Sequence, residues 1–364
     1  MRITFILPYA SLAGGVRVVA SYAKELTAMG HDVSVISKPK KRPRRLKRWT
    51  SWLRGKDTQP HGKVPTSLLS FLGDRHIVLD RFRDVIAADV PDADVIFATW
   101  WDTAFAVNAL PSEKGQKFYL LQDYETFDYL PVDQVVRTYR LPLHKIAVSN
   151  YIKDKITKNH NISDVTVVPN AVDTTVFDSP PRSKNDAFTV GFLCNSNPRK
   201  RVELAIEAVR RAKALYPELR VCAFGAKPPE ARLEMPEWVD FHLAPDQKDI
   251  PALYRACDLW LFTSEAEGFG LPLVEAMGCG TPVLATRTGA AGDLIHGDNG
   301  EILAADGILF AQRIDYFARM PDAQWQAFSH AAYTTVHDYS WKNAADTLLH
   351  TIAQTPARQD EPVS

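Results

Sequence analysis

Residues 264–294 read SEAEGFGLPLVEAMGCGTPVLATRTGAAGDL, and this stretch decides the fold. It follows the apolar run LWLF at residues 259–262, which predicts a strand, and a helical pattern begins at Pro272. Glu267, Gly268, Phe269 and Gly270 are therefore expected in a loop at the carboxyl end of a parallel strand, where open α/β sheets bind ligands. The two glycines let the backbone approach a ligand, and amides ahead of the helix can donate to phosphate or sugar oxygens.

Two glutamates frame this predicted loop. Glu267 lies in the loop and Glu275 about one turn into the helix, so both can face one crevice. Carboxylates accept hydrogen bonds from vicinal hydroxyls, which suits a ribose and a pyranose. Taken alone, Glu275 reads more simply as a first-turn glutamate favoured by the helix dipole. The run as a whole is too specific for that alternative.

Short strands alternate with helices on both sides of this stretch, which predicts an α/β chain with two doubly wound, Rossmann-like domains. The clearest elements in the first half are the strands Ile3–Leu7, Val33–Ser37 and Val95–Ala98 and the helix Val16–Met29. Those in the second half are the strands Thr189–Leu193 and Arg220–Phe224 and the helices Val202–Tyr216, Ile250–Ala256, Pro272–Gly278 and Ala305–Arg319. We expect an N-terminal domain at 1–178, a linker at 179–187, a C-terminal domain at 188–340, a helix at 341–354 that crosses back to the N-terminal domain, and a disordered tail at 355–364.

Four segments resemble glycosyltransferase family 4, a family of retaining enzymes with the GT-B fold. They are the stretch at 264–294, SLAGGVRVVASYAKELTAMGHDVSVIS from Ser11, VVPNAVDTTVF from Val167, and GFLCNSNPRKRVELAIEAV from Gly191. The resemblance extends from Ile3 to about Leu348. It implies two domains that face a cleft, with the nucleotide-sugar donor bound by the C-terminal domain and the acceptor by the N-terminal domain.

The resemblance also assigns the donor site residue by residue. Donor contacts are expected from Gly14, Gly15, Arg199, Lys200, Arg201, Gly268, Phe269, Gly270, Leu271 and Glu275. Glu275 is assigned to the ribose, Glu267 to the donor sugar and Lys200 to the pyrophosphate. The family often has an arginine where this chain has Phe192, so Arg199 or Arg201 is expected to supply the missing cation.

The N-terminal domain departs from the family as well. A position that often carries a histidine near the reacting carbon is here Gln122, within YLLQDYETF. The QDYE string resembles a subgroup that acts on bacterial surface polysaccharides. Gln122, Asp123 and Glu125 are therefore candidates for contact with the acceptor, and Asp123 is also counted as catalytic. An equally good alternative is that the two acidic residues cap a strand-to-helix turn.

The implied chemistry depends on charge stabilisation. The leaving diphosphate develops negative charge that Lys200 and a neighbouring arginine can stabilise, and carboxylates favour an oxocarbenium-like sugar. No D-x-D motif or His and Asp cluster indicates a metal, and we expect no cofactor beyond the sugar nucleotide. The alternatives are a nucleotide-sugar epimerase or a catalytically silent scaffold in a polysaccharide assembly complex. An NAD dehydrogenase is disfavoured because SLAGGVR lacks G-x-G-x-x-G.

A second signal is the basic segment KPKKRPRRLKRWTSWLRGK, Lys38 to Lys56, which holds ten basic residues and no acid. Tryptophans at helical spacing among cations suit an anionic membrane surface. The candidates for membrane contact are Arg44, Arg45, Lys47, Arg48, Trp49 and Trp52. Membrane contact makes a lipid-linked glycan acceptor the expected one. The alternative is a loop whose tryptophans pack on their own domain.

The composition limits the other possibilities. Lys plus Arg and Asp plus Glu number 43 each among 364 residues, so no global field attracts nucleic acid, and none is expected as a partner. The four cysteines are far apart and follow no metal spacing, which favours buried thiols in a reducing compartment. The N-terminus lacks the longer apolar region of a signal peptide, and no stretch is long enough to span a bilayer. We therefore expect a cytoplasmic protein, attached at most peripherally to the inner face of the cell membrane.

Overall fold

A computed structural model describes residues 1–10, 14–39 and 68–356. Its internal contacts divide the chain into two compact units, residues 1–146 with the chain end from Ile352, and residues 147–351. No helix in the described ranges is both long and apolar enough to cross a bilayer.

The first sheet, as far as the chain is described, has the strand order β3-β2-β1-β4-β5-β6-β7. Its strands are β1 Arg2–Leu7, β2 Asp32–Ser37, β3 His76–Val78, β4 Val95–Ala98, β5 Gln116–Leu121, β6 His144–Ala147 and β7 Val165–Val167. The pairs from β3 through β5 are parallel. The helices in this part of the chain are α1 Gly14–Ala28, α2 Trp101–Ala109, α3 Val132–Tyr139 and α4 Asn150–His160.

The second sheet has the order β10-β9-β8-β11-β12-β13, and all its neighbouring strands are parallel. Its strands are β8 Thr189–Leu193, β9 Arg220–Gly225, β10 Asp240–Leu243, β11 Leu259–Phe262, β12 Val283–Thr286 and β13 Gly300–Leu303. The helices are α5 Val202–Leu215, α6 Ile250–Arg255, α7 Leu271–Gly278, α8 Ala291–Leu294, α9 Gly307–Arg319, α10 Asp322–His337 and α11 Trp341–Gln354. Short 3-10 turns lie at Ser70–Arg75, Ala87–Asp89, Ser112–Lys114, Pro198–Lys200 and Ala231–Leu233.

Both sheets are covered on their two faces, as parallel sheets require. All four residues of β4 and all four of β11 are buried. In the first sheet the rings of Phe5 and Phe97, on neighbouring strands, stack with centroids 4.8 Å apart. In the second, a Cβ added at Gly191 of β8 would lie 2.4 Å from the Cys257 sulfur, so only glycine allows this close packing.

The segment predicted as a linker is fastened to the second unit. Arg182 forms an ion pair of 2.9 Å with Asp258, which is fully buried, and donates to the Cys257 carbonyl at 2.7 Å. Its guanidinium also lies 5.0 Å from the centre of the Trp325 ring. The charges that suggested a solvated linker therefore hold this segment against the core of the second unit.

The predicted fold class is confirmed, with two parallel α/β sheets of the Rossmann type. The short strand β3 was not predicted, because three residues carry too little periodicity to be recognised. The last strand of the first sheet ends at Val167 and the first strand of the second sheet begins at Thr189, on either side of the predicted linker. The first compact unit, in contrast, ends at Ile146. The domain limits drawn from the sequence stay a prediction.

Candidate active site

The loop after β11 is built around Gly270. This residue has φ of +93°, and a Cβ added there would lie 2.5 Å from the Phe262 ring. A larger residue would both strain the backbone and collide with the end of β11. Glycine therefore allows the chain to turn sharply from the strand into α7.

Hydrogen bonds from three directions hold this loop. The Glu267 amide donates to the Thr288 hydroxyl at 3.0 Å, and the Phe269 carbonyl accepts from the Ala290 amide at 2.7 Å. The Ser149 hydroxyl, 1% exposed at the N-cap of α4, donates to the Gly268 carbonyl at 2.6 Å. The loop is thus rigid before any ligand binds.

Lys200 and Glu267 meet in this loop. The short turn after β8 carries Lys200, and its ammonium group forms an ion pair with Glu267 Oε1. The same oxygen accepts a hydrogen bond of 2.6 Å from the hydroxyl of Ser264. The Lys200 and Glu267 side chains are only 22% and 12% exposed, so the charges act across a medium that screens them less than bulk water.

The two arginines beside Lys200 have different surroundings. Arg201 has φ of 44° and forms an ion pair of 2.8 Å with Glu265, in which both side chains are more than a third exposed. Arg199 is half-buried, and its carbonyl accepts from the Glu265 amide at 2.7 Å. Phe192 is 1% exposed and belongs to the hydrophobic core, so a cation at that position would have to leave the core.

Glu275 lies in the second turn of α7 and is 7% exposed. Its Oε2 accepts a hydrogen bond of 2.9 Å from the phenol of Tyr254. The reading of Glu275 as an exposed first-turn glutamate is therefore wrong, because the residue lies beyond the first turn and is buried. Gly268 and Phe269 are buried as well, and Leu271 is half-buried.

In the first unit, Gly14 and Gly15 begin helix α1. A Cβ added at Gly15 would lie 3.3 Å from Gln122 Oε1, which follows the end of β5. The two predicted segments are therefore neighbours at the carboxyl edge of the first sheet. Among the described residues, no atom lies within 4 Å of a Cβ added at Gly14.

Asp123 and Glu125 follow Gln122 but serve the loop itself. Asp123 Oδ1 accepts from the Tyr124 amide at 2.8 Å. Glu125 is fully buried, and its Oε2 accepts from the Trp101 amide at 2.8 Å, the first residue of α2. The Tyr119 hydroxyl donates to the same oxygen at 3.4 Å. A side chain without exposed surface cannot touch an acceptor, so the expectation for Glu125 is corrected: it joins the loop to α2.

Burial raises the pKa of Glu125 well above its usual value of 4.5, and the nearby charges of Asp123 and Asp102 raise it further. The Trp101 amide and the Tyr119 hydroxyl act in the opposite direction by donating to the carboxylate. The net direction is upward, so the folded protein favours the protonated form of this carboxyl group more than the unfolded chain does.

Lys38 also departs from the prediction, which placed it in a basic segment that contacts an anionic membrane. It is 2% exposed and forms ion pairs of 2.7 Å with Asp84 and 2.8 Å with Asp102. The segment's first cation is therefore used inside the protein. Arg44, Arg45, Lys47, Arg48, Trp49 and Trp52 lie outside the described residues, and their proposed contact stays a prediction.

The sequence did not indicate Tyr254, Ser149 or Thr288, which hold the predicted residues. Ser149 carries a signal as a helix N-cap, but its bond to Gly268 spans 119 positions of sequence. Long-range contacts of this kind follow only from the fold. Throughout ranges 1–10, 14–39 and 68–356, no three His, Cys, Asp or Glu side chains are grouped so as to hold a metal ion.

The raised pKa of Glu125 predicts a pH-dependent stability. In the unfolded chain the carboxyl group loses its proton above its usual pKa of 4.5, whereas the raised pKa makes the folded protein hold it to higher pH. The free energy of unfolding of the wild type should therefore fall as pH rises above that value, relative to a variant that cannot ionise. Glu125→Gln should gain stability over the wild type between pH 5 and pH 8, by up to about 1.4 kcal/mol per pH unit. Urea unfolding at both pH values measures the difference.

Glu113→Gln, at an exposed site in the same unit, is the control for the loss of one carboxylate. If the difference between Glu125→Gln and the wild type stays constant from pH 5 to pH 8, Glu125 is ionised in the folded protein.

Comparisons with known proteins agree with this geometry. Residues 12–176 match the family model "Glycosyltransferase Family 4", and residues 173–333 match "Glycosyl transferases group 1". A D-inositol 3-phosphate glycosyltransferase of Mycobacterium bovis is 30% identical over 180 residues, which is 45% of this chain and 36% of that protein. The chain thus matches little more than a third of the length of this curated relative.

Two solved structures illustrate the shared fold. A HepE protein of Anabaena in complex with UDP aligns with a TM-score of 0.73 and 18% identity, covering 98% of this chain and 100% of that one. A sucrose-phosphate synthase from Thermosynechococcus elongatus aligns with a TM-score of 0.70 and 15% identity, covering 97% and 98%. The chain has the GT-B fold, and its two halves match the models for glycosyltransferase family 4 and for glycosyl transferases group 1.

Proposed function

We propose that this protein transfers a sugar from a nucleotide-diphosphate sugar to a hydroxyl of a glycan acceptor, with retention of anomeric configuration. The observation that carries the proposal is the contact of Lys200 with Glu267 in a loop that is rigid in advance. Two further observations support it. The curated relative is named a D-inositol 3-phosphate glycosyltransferase, and the Anabaena HepE protein has been solved with UDP and with UDP-glucose.

The Lys200–Glu267 pair supplies both signs of charge that glycosyl transfer needs. The bond to the leaving phosphate breaks with negative charge on the diphosphate and positive charge on the anomeric carbon. The ammonium of Lys200 stabilises the first, and the carboxylate of Glu267 favours the second. The partly buried setting strengthens both effects, and Ser264 fixes the carboxylate by donating to Oε1.

Glu275 is proposed to bind the ribose of the donor. A nearly buried carboxylate is well suited to accept from two vicinal hydroxyls, since it presents two oxygens and excludes competing water. Arg199, half-buried in the same short turn as Lys200, is proposed as the additional phosphate cation. Arg201 forms an ion pair with Glu265 at the surface.

No metal and no covalent intermediate are included in the proposed mechanism. The acceptor hydroxyl attacks from the same face as the departing diphosphate and passes its proton to the leaving phosphate oxygen. Gln122 and Asp123 are proposed to line the acceptor side, with Glu125 holding the loop that carries them. Gly14 and Gly15 stay predicted donor contacts.

The donor class predicts which nucleotides stabilise the protein. A ligand that binds only the folded state and is present at 100 times its dissociation constant adds about 2.7 kcal/mol of stability. One of UDP, GDP and dTDP should raise the melting temperature in a thermal-shift screen without added metal. The sugar conjugate of that nucleotide should then be consumed when an acceptor glycan is present. A shift without sugar transfer to any acceptor would favour the silent scaffold.

The Lys200–Glu267 pair predicts two different kinetic defects. Lys200→Ala should slow turnover by about 100- to 1,000-fold, the scale seen when a charge-stabilising group is lost from a preorganised site. Glu267→Ala should also slow turnover but leave the affinity for free nucleotide nearly intact, because its proposed partner is the donor sugar. Steady-state kinetics and calorimetric titration with nucleotide measure the two effects.

Arg201→Ala is the matched control, since it removes a neighbouring cation that is paired at the surface. Equal losses of nucleotide affinity in the Glu267 and Glu275 alanine variants would mean that their assigned roles are wrong. A normal rate in Lys200→Ala would transfer its role to Arg199.

The acceptor is proposed to be a lipid-linked glycan in the synthesis of a bacterial surface polysaccharide. The support is the basic segment, now taken to begin after the buried Lys38, together with the QDYE resemblance. Its nine cations and both tryptophans lie outside the described residues, so the membrane contact depends on sequence alone. Each cation near an anionic bilayer contributes on the order of 1 kcal/mol.

Membrane contact predicts salt-dependent vesicle binding. Binding should require anionic lipid and weaken as salt rises, since exposed charges are screened beyond about 8 Å at 0.15 M. Neutralising Arg44, Arg45, Lys47 and Arg48 should abolish it, and alanine at Trp49 and Trp52 should weaken it, while transfer to a soluble acceptor analogue is spared. Vesicle sedimentation measures the binding. A protein that ignores anionic vesicles even at low salt loses the main support for a lipid-linked acceptor.

A further inference from the structure

Tyr254 is a buried phenol in the second unit whose hydroxyl reaches the candidate donor site. It lies near the end of α6 and is 1% exposed. Its ring meets Trp260, Phe224 and Phe177 edge-on, with centroid distances of 4.6, 5.5 and 6.0 Å. Contacts on three sides leave the ring one orientation, so the direction of its hydroxyl is set by the core.

The backbone of Tyr254 is fixed to the segment that follows α7. Its carbonyl accepts a hydrogen bond of 2.9 Å from the hydroxyl of Thr281, which is fully buried. The Thr281 amide in turn donates to the Ala276 carbonyl at 3.0 Å. Tyr254 and the last turns of α7 therefore hold a constant distance from each other.

The fixed phenol donates to Glu275 Oε2 at 2.9 Å. A glutamate side chain turns about three bonds, and a buried one without a directing partner could point away from a ligand. The tyrosine selects one orientation. A carboxylate has lone pairs for about four hydrogen bonds, so one bond from the phenol does not exhaust what the group can accept.

We infer that Tyr254 is a positioning residue: its hydroxyl aims the Glu275 carboxylate at the vicinal hydroxyls of the donor's ribose. The inference rests on the ribose role proposed for Glu275 and adds a residue outside the loop 264–270. It accounts for a polar atom in a cluster of aromatic rings, where phenylalanine would otherwise pack equally well.

A double-mutant cycle separates positioning from packing. Tyr254→Phe keeps the ring and its three aromatic contacts and removes only the hydroxyl. Calorimetric titration with UDP, GDP and dTDP on the full chain gives the affinity of the wild type, Tyr254→Phe, Glu275→Ala and the double variant. We expect Tyr254→Phe to weaken the best nucleotide about tenfold, the scale of one hydrogen bond to a charged group. The double variant should bind no more weakly than Glu275→Ala, because the phenol acts only through the carboxylate.

Kinetics provide a second readout. KM for the donor should rise in Tyr254→Phe while kcat changes little, since the ribose is bound equally in the ground and transition states. Tyr333→Phe is the matched control: its hydroxyl donates to Asp178 at 2.7 Å in the same unit, and its removal should leave nucleotide affinity unchanged. If Tyr254→Phe cannot be purified, nucleotide affinity is compared between Glu275→Gln and the double variant that carries Tyr254→Phe as well. In this pair, removal of the phenol does not deprive a buried carboxylate of a hydrogen-bond donor.

Three outcomes overturn the inference. Wild-type affinity in Tyr254→Phe, with Glu275→Ala weakened, overturns the positioning role alone. Independent, additive losses in the double variant show that the phenol acts by another route. Unchanged affinity in Glu275→Ala overturns the ribose assignment and this inference with it.

Discussion

The contact between Gly270 and the Phe262 ring is the constraint on which the site depends. A strand that leads directly into a helix must reverse its backbone within a few residues, and here the reversal occurs at φ of +93° against the side chain that ends β11. Because Gly270 has no Cβ, the chain can make this turn. Glu267 then lies before the turn and Glu275 in the helix after it. Thr288, Ala290 and Ser149 then fix the loop through its own amide and carbonyl groups. The residues proposed for chemistry therefore lie on a rigid backbone, as electrostatic stabilisation requires.

Sequence reasoning succeeded where a local pattern carries the information. Alternating β-branched runs and helical periods predict two parallel sheets, and GFG followed by Pro272 predicts a strand, a loop and a helix in that order. The meeting of Lys200 and Glu267 was implied only by resemblance, since 67 positions separate them. Tyr254 and Ser149 were missed because a tyrosine in a short helix and a serine at a helix start look alike whether or not they touch a site. Strand β3 was missed because three residues are too few for a period.

The sequence also could not tell which polar groups are buried. Lys38 begins a run of cations, and Glu125 closes an acidic, aromatic string, so both read as exposed. In the fold, each instead joins separate loops of the first unit: Lys38 contacts Asp84 and Asp102, and Glu125 contacts the Trp101 amide. Asp102 and Trp101, which these residues contact, both lie in the first turn of α2, the helix that follows β4. A charged or polar residue after a parallel strand can thus tie loops together as readily as it can face a ligand.

Burial alone does not distinguish these two roles, but the partners do. Lys38 is nearly enclosed and has two carboxylates, so its charge is matched and it has little to offer a ligand. Lys200 is about a fifth exposed and shares one carboxylate oxygen with Ser264, which leaves the ammonium two of its three donors for a phosphate. The same argument separates the glutamates: Glu125 is sealed and its pKa is raised by burial, whereas Glu275 is 7% exposed beside a tyrosine that donates to it. Residual exposure together with a fixed orientation is what favours Lys200, Glu267 and Glu275 as the groups proposed to meet the donor.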